Sequence, residues 1–197
     1  SRRQRQMCIR DRDSLVGMDF SALTPAPEPP VPGPGVPVLD GPGSQTPQSL
    51  TRALSSLPEA DRDAPALVVA TSGSTGTPKR TLLTAGALRA SGRATAETTD
   101  SDGAQWLLAL PVHYVAGAQV IARSVLAGTT PVTTASLTPG TGFTAGDFLA
   151  AVERMTHPRR MTALVPTQLH VLLEAAESAV VPADQLHEAL PSFRAIL

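Results

Sequence analysis

The chain has 197 residues, of which 42% are hydrophobic, 17% charged and 3% aromatic. That length suits one domain of ordinary size or part of a larger one. Its 16 basic and 17 acidic side chains give a net charge of −1, without the basic excess of a nucleic-acid binder and with no electrostatic reason to sit on a membrane. The single cysteine, Cys8, excludes an internal disulfide and a multi-cysteine metal site. No apolar run approaches the roughly 20 residues of a membrane helix, and none near the start resembles a signal peptide. The expectation is a soluble, cytoplasmic protein.

Residues 1–13 carry five arginines within the first twelve positions. They read as a non-native tail and are set aside in the fold argument. Residues 14–63 form a proline- and glycine-rich lead-in, with nine prolines and four glycines between positions 24 and 47. Proline fixes φ and lacks an N–H, so this run is excluded from a helix interior or a central strand. It reads equally as a linker or as surface loops around an edge strand at Val36–Leu39. A short helix follows over Ser49–Leu57, ended by Pro58.

From Ala64 the pattern alternates. Ala66–Ala70 is a continuous apolar run, as in a strand buried on both faces. Thr81–Leu83 is strand-like, and Thr84 is placed to cap a helix over Ala85–Glu97. Trp106–Leu110 is a second buried strand, stopped by Pro111. A helix is expected over Ala118–Ala127, with Gly128 at its C-terminal end. Pro131–Thr134 is a short strand, and Phe148–Met155 a helix with Asp147 near its start. Met161–Val165 is a strand, Pro166 and Thr167 open a helix through Ala176, and Phe193–Leu197 begins another strand. This alternation predicts an α/β fold, a mostly parallel sheet flanked by helices. An end inside an apolar strand reads as truncation, with exposed apolar surface and a tendency to aggregate.

The informative segment is Thr71-Ser72-Gly73-Ser74-Thr75-Gly76-Thr77-Pro78-Lys79, directly after the first buried strand. Ligands of open α/β sheets bind beyond the carboxyl ends of strands. Glycines let backbone N–H groups approach an anion, the hydroxyls of Thr71, Ser72, Ser74 and Thr75 add donors, and Lys79 adds a point charge. Lys79 is also the one lysine beside fifteen arginines. The segment is not a Walker A loop: counted from Gly73, Pro78 and Arg80 occupy positions that need Gly and Ser/Thr. With a strand following, the phosphates would not rest on a helix N-terminus.

Position for position the segment instead resembles the phosphate-binding loop of the adenylate-forming enzymes, the acyl-CoA synthetase superfamily. Leu110-Pro111-Val112-His113-Tyr114-Val115-Ala116-Gly117 resembles that family's next motif, with Val112 in place of a bulkier residue. The early arrival of the loop, together with Trp106–Pro111 and Leu164–Leu169, is similar to o-succinylbenzoate–CoA ligases of menaquinone biosynthesis. The resemblance implies that residues 64–197 are an incomplete N-terminal domain of an adenylate-forming enzyme. It implies that Thr71, Ser72, Gly73, Ser74, Thr75, Gly76 and Lys79 hold ATP phosphates, and that His113 lies beside the acyl pocket and takes part in catalysis. It assigns Arg123 to the substrate carboxylate, whose two oxygens a planar guanidinium can bind, and places Thr167 and Gln168 at the pocket wall.

The implied co-substrates are ATP with Mg²⁺, a carboxylic acid and CoA. The partners are therefore small molecules, with no nucleic acid and no membrane, and self-association of the intact enzyme is left open. No metal ligands are expected in this chain; His157, His170 and His187 lack ligand spacing to a partner. Two alternatives stay open: another acyl- or aryl-CoA synthetase of the superfamily, and a non-catalytic nucleotide-binding fragment. The motifs of the later part of such enzymes, including the mobile C-terminal domain, are not in this sequence, so the chain alone is expected to be inactive.

Overall fold

The computed structural model describes residues 33–71, 79–138 and 140–197. The tail with Cys8, and residues 72–78 of the glycine-rich loop, lie outside the described residues.

Two sheets organise the chain. In the first, β1 (Val38–Leu39) runs parallel to β2 (Pro65–Thr71), and β3 (Lys79–Thr84) pairs antiparallel with β2. Residues 33–63 of the lead-in are thus part of the fold. Leu39 is fully buried, and α1 (Pro47–Ser55) adds buried Leu50 and Leu54 to the same core. Thr46 and Ser49 cap α1 reciprocally, each side chain accepting the other's backbone N–H at 3.1 and 2.9 Å. The antiparallel β2–β3 hairpin is the exception in a mostly parallel arrangement. Its nearest expectation is the strand-like Thr81–Leu83.

The second sheet has the order β5-β4-β6-β7 and is parallel throughout. Its centre is β4 (Gln105–Leu108), flanked by β5 (Val132–Thr133) and β6 (Arg160–Thr162), with β7 (Ala195–Ile196) outside β6. Side chains alternate faces along a strand. Trp106, Leu108 and Leu110 enter one core with α1, α2 (Ala85–Thr99) and α3 (Val115–Leu126). Leu107 and Ala109 enter a second core with α4 (Ala145–Glu153), α5 (Pro166–Glu177) and α6 (Ala183–Ala189). Burial on both faces explains the unbroken apolar run.

Thr84 caps α2, accepting the Ala87 N–H at 3.2 Å. Gly128, at φ +66°, closes α3 in the left-handed region that favours glycine. Several boundaries move. The α4 helix starts at Ala145, because Thr144 caps it and Asp147, inside the first turn, accepts the N–H groups of Ala135 and Ser136 at 2.8 Å each. The β6 strand ends at Thr162 rather than Val165, since Val165 becomes the residue before the α5 helix that Pro166 opens. Phe193 is buried in the second core rather than paired in β7. The α6 helix is unforeseen; it is seven residues long, with Leu186 and Ala189 buried. None of the described helices is long and apolar enough to cross a membrane.

Candidate functional site

The two ends of the glycine-rich loop are set by the first sheet. Thr71 closes β2 and Lys79 opens β3, and the two are paired partners in the antiparallel register. The backbone therefore leaves and re-enters the sheet at one rung. Ser72, Gly73, Ser74, Thr75 and Gly76 lie outside the described residues. Val69, two residues before Thr71, shares a core cluster with Leu110 and Val112, which bracket Pro111 just before His113. The apolar residues leading into both motifs are thus anchored in one core.

The second motif is a turn at the carboxyl end of β4. The Tyr114 N–H donates to the Pro111 carbonyl at 3.2 Å, and α3 begins at Val115. Gly117 permits this close return: a Cβ there would lie 2.7 Å from the Leu110 carbonyl oxygen and nearer still to that of Pro111. Val112 is buried and anchors the turn, while His113 is half-buried and stacks obliquely on exposed Tyr114, ring centroids 4.2 Å apart.

Gln168 has a definite structural role. It is buried, its Nε2 donates to the Ala109 carbonyl at 2.8 Å, and its Oε1 accepts the Val165 N–H at 3.1 Å. One amide thus ties the end of β4 to the start of α5. Neighbouring Thr167 is exposed.

Arg123 lies further along α3, whose eight residues from Val115 to Arg123 advance the backbone about 12 Å along the helix axis. Its guanidinium carbon lies 5.3 Å from the centre of the Trp106 ring, near the amino end of β4. Burial pushes its pKa below the usual arginine value, and its Nε is buried without a hydrogen-bond partner among the described residues. It lines a cleft of about 410 Å³ together with Arg89, Arg93, Trp106, Gly92 and Asp102. Sequence reasoning did not select Arg89 and Arg93, although their four-residue spacing on a predicted helix places them on one face. Among the described residues no group of three or more His, Cys, Asp and Glu side chains could hold a metal.

Comparison with known proteins adds the decisive observation. The profile of the AMP-binding enzymes matches residues 18–197. The chain belongs to the AMP-binding enzyme family. Over 139 residues, 70% of the chain, it is 42% identical to a probable 2-succinylbenzoate–CoA ligase of Mycobacterium tuberculosis. It spans 35% of that relative's length. An o-succinylbenzoate coenzyme A synthetase from Bacillus subtilis, solved in complex with AMP, aligns with 69% of the chain and 31% of its own, at 30% identity and a TM-score of 0.52. A malonyl-CoA ligase, solved with methylmalonyl-CoA and AMP, aligns with 71% of the chain and 28% of its own, at 27% identity and a TM-score of 0.56. The α/β architecture of this AMP-binding chain is accordingly that of part of an adenylate-forming enzyme.

Proposed function

We propose that this chain is part of an ATP-dependent acid–CoA ligase whose acid is o-succinylbenzoate, in menaquinone biosynthesis. The observation that carries this reading is the 42% identity to the mycobacterial relative across most of the chain. In the reaction, a carboxylate oxygen of the succinyl arm attacks the α-phosphorus of ATP. The bond to the bridging oxygen breaks, and pyrophosphate leaves from the acyl-adenylate. The sulfur of CoA, as thiolate, then attacks the acyl carbon, and AMP leaves as the thioester forms.

The residues of this chain would contribute mainly by position and charge. The loop from Thr71 to Lys79 would hold the β- and γ-phosphates through backbone N–H groups, hydroxyls and the Lys79 ammonium. The pairing of Thr71 with Lys79 supports this, because it gives the loop a fixed two-stranded base. His113 would border the reacting carboxylate from its turn at the end of β4. Gln168 would act through that turn's upstream backbone rather than as a pocket wall. Mg²⁺ supplies charge neutralisation when bound.

A panel of acids offered to the intact enzyme with ATP and CoA tests the substrate. The expected result is thioester formation from o-succinylbenzoate and little from benzoate or fatty acids. Equal turnover of all three would sink the assignment in favour of a broader acyl- or aryl-CoA synthetase. The 197-residue chain alone should bind nucleotide weakly and form no thioester.

A further inference from the structure

We infer that Gln119 is a positioning residue for Arg123: its amide oxygen takes up the Arg123 Nε–H through one shared buried water. The inference concerns how that side chain is set and stands independently of the ligase reading.

The α3 helix has three polar side chains, Gln119, Arg123 and Ser124, in an otherwise apolar sequence. Ser124 is satisfied within the helix, its hydroxyl donating to the Val120 carbonyl at 2.9 Å. The other two each bury one polar atom without a hydrogen-bond partner, Gln119 Oε1 and Arg123 Nε. Among the described residues these are the only two such atoms. Buried polar atoms are almost always paired, so two orphans on one helix call for a common explanation. Their chemistry is complementary, since an amide oxygen accepts and the Nε–H of arginine donates.

Their spacing makes the match usable. Residues four apart on a helix are neighbours on one face, with Cβ atoms about 5–6 Å apart. Gln119 and Arg123 are so spaced, and both are half-buried. No direct hydrogen bond joins the two atoms, and a polar contact beyond about 3.5 Å is commonly bridged by water. Between them they supply the pair of polar partners that a buried water needs at least. Arg123 lines the cleft between α2 and α3, whereas Gln119 is not among its walls. Gln119 is therefore placed to act through Arg123 rather than on anything the cleft holds.

The consequence is directional. The Arg123 guanidinium carbon lies 5.3 Å from the centre of the Trp106 ring. A cation over a ring is held at a height, but its rotation stays open. A hold at Nε removes that rotation, because the guanidinium is a rigid planar fork. The edge turned toward the cleft is thereby preset. The acids of the cleft, Glu59 and Asp102, are exposed, so solvent and salt screen their pull on the buried part of the side chain.

Nuclear magnetic resonance of the whole chain reads the Arg123 Nε–H, identified as the resonance lost in Arg123→Lys. The expected result is a proton that exchanges slowly with solvent and shows a rotating-frame Overhauser contact to a long-lived water. Gln119→Met keeps the length and removes the acceptor, and should speed the exchange about tenfold, the loss of one hydrogen bond. Gln119→Glu restores an acceptor and should return the slow rate. The backbone N–H groups of α3, that of Ile121 among them, should keep their rates in both variants, which a role in helix stability alone would not allow. Emission of Trp106, the one tryptophan, should shift in Gln119→Met and revert in Gln119→Glu. A fast-exchanging Arg123 Nε–H or a missing water contact in the unsubstituted chain would overturn the proposal. So would a Gln119→Met variant that leaves that exchange and the Trp106 emission unchanged, or that speeds the α3 backbone amides equally. The first two outcomes are read without Gln119→Met, so a failure of that variant to fold leaves the test decisive.

Discussion

Replacing Gln168 by leucine tests whether its amide is a strut or a wall of the acyl pocket. The side chain makes two hydrogen bonds of opposite sense, to the Ala109 carbonyl at 2.8 Å and from the Val165 N–H at 3.1 Å. Leucine has a similar volume and neither function. Ala109 is buried, and a buried carbonyl deprived of its donor costs about 1–3 kcal/mol. The Val165 N–H sits at the N-cap of α5, where losing a capping acceptor costs about 1 kcal/mol. A combined loss of about 3 kcal/mol corresponds to a fall in Tm of about 6–12 °C for a domain of this size. Gln168→Glu is the informative partner variant. Its carboxylate still accepts from Val165 but, buried, faces the Ala109 carbonyl oxygen with no donor, so at neutral pH it should be tolerated no better than leucine. Urea denaturation followed by circular dichroism gives both values. If Gln168→Leu costs less than about 0.5 kcal/mol, within the range of an ordinary surface change, the strut is wrong and the pocket-wall role returns.

Other outcomes follow from the same geometry. Gly117→Ala should destabilise by about 1–3 kcal/mol, because the added methyl meets two backbone carbonyls that cannot swing aside; thermal melting checks this, and an unchanged Tm would refute the close packing. Thr144→Ala removes the acceptor of the Asp147 N–H at 3.2 Å and should cost about 1 kcal/mol, with Thr144→Ser recovering most of it in the same melts. Val165, Leu169 and Leu173 recur every four residues around α5 and are 41%, 41% and 51% exposed. Changing Leu169 and Leu173 to Glu should therefore reduce light scattering by the purified chain without lowering its Tm; a fall of several degrees would mean that the stripe is packed.

Much of the second sheet was legible because burial leaves a simple trace. The β4 run is apolar without interruption since its two faces serve two cores, and Pro111 marks its end. Thr84 and Gly128 were legible for the same reason, each being a residue type that one backbone position demands. What escaped was set by partners distant in sequence. The end of β6 depends on how α5 docks, and α6 offers only two buried residues across its seven. Gln168 reads as an ordinary polar residue in a first helical turn until Ala109, 59 positions away, is placed against it.

The placement of Arg123 follows from the topology: a helix that follows a parallel strand returns toward the strand's amino end. Each residue adds about 1.5 Å to that retreat. The two glycines at the ends of the return permit α3 to lie close to its neighbours, Gly117 against the Pro111 carbonyl and Gly92 against Leu126. Gly92→Ala, like Gly117→Ala, should therefore displace α3 and lower the Tm; an unchanged Tm would refute the close approach.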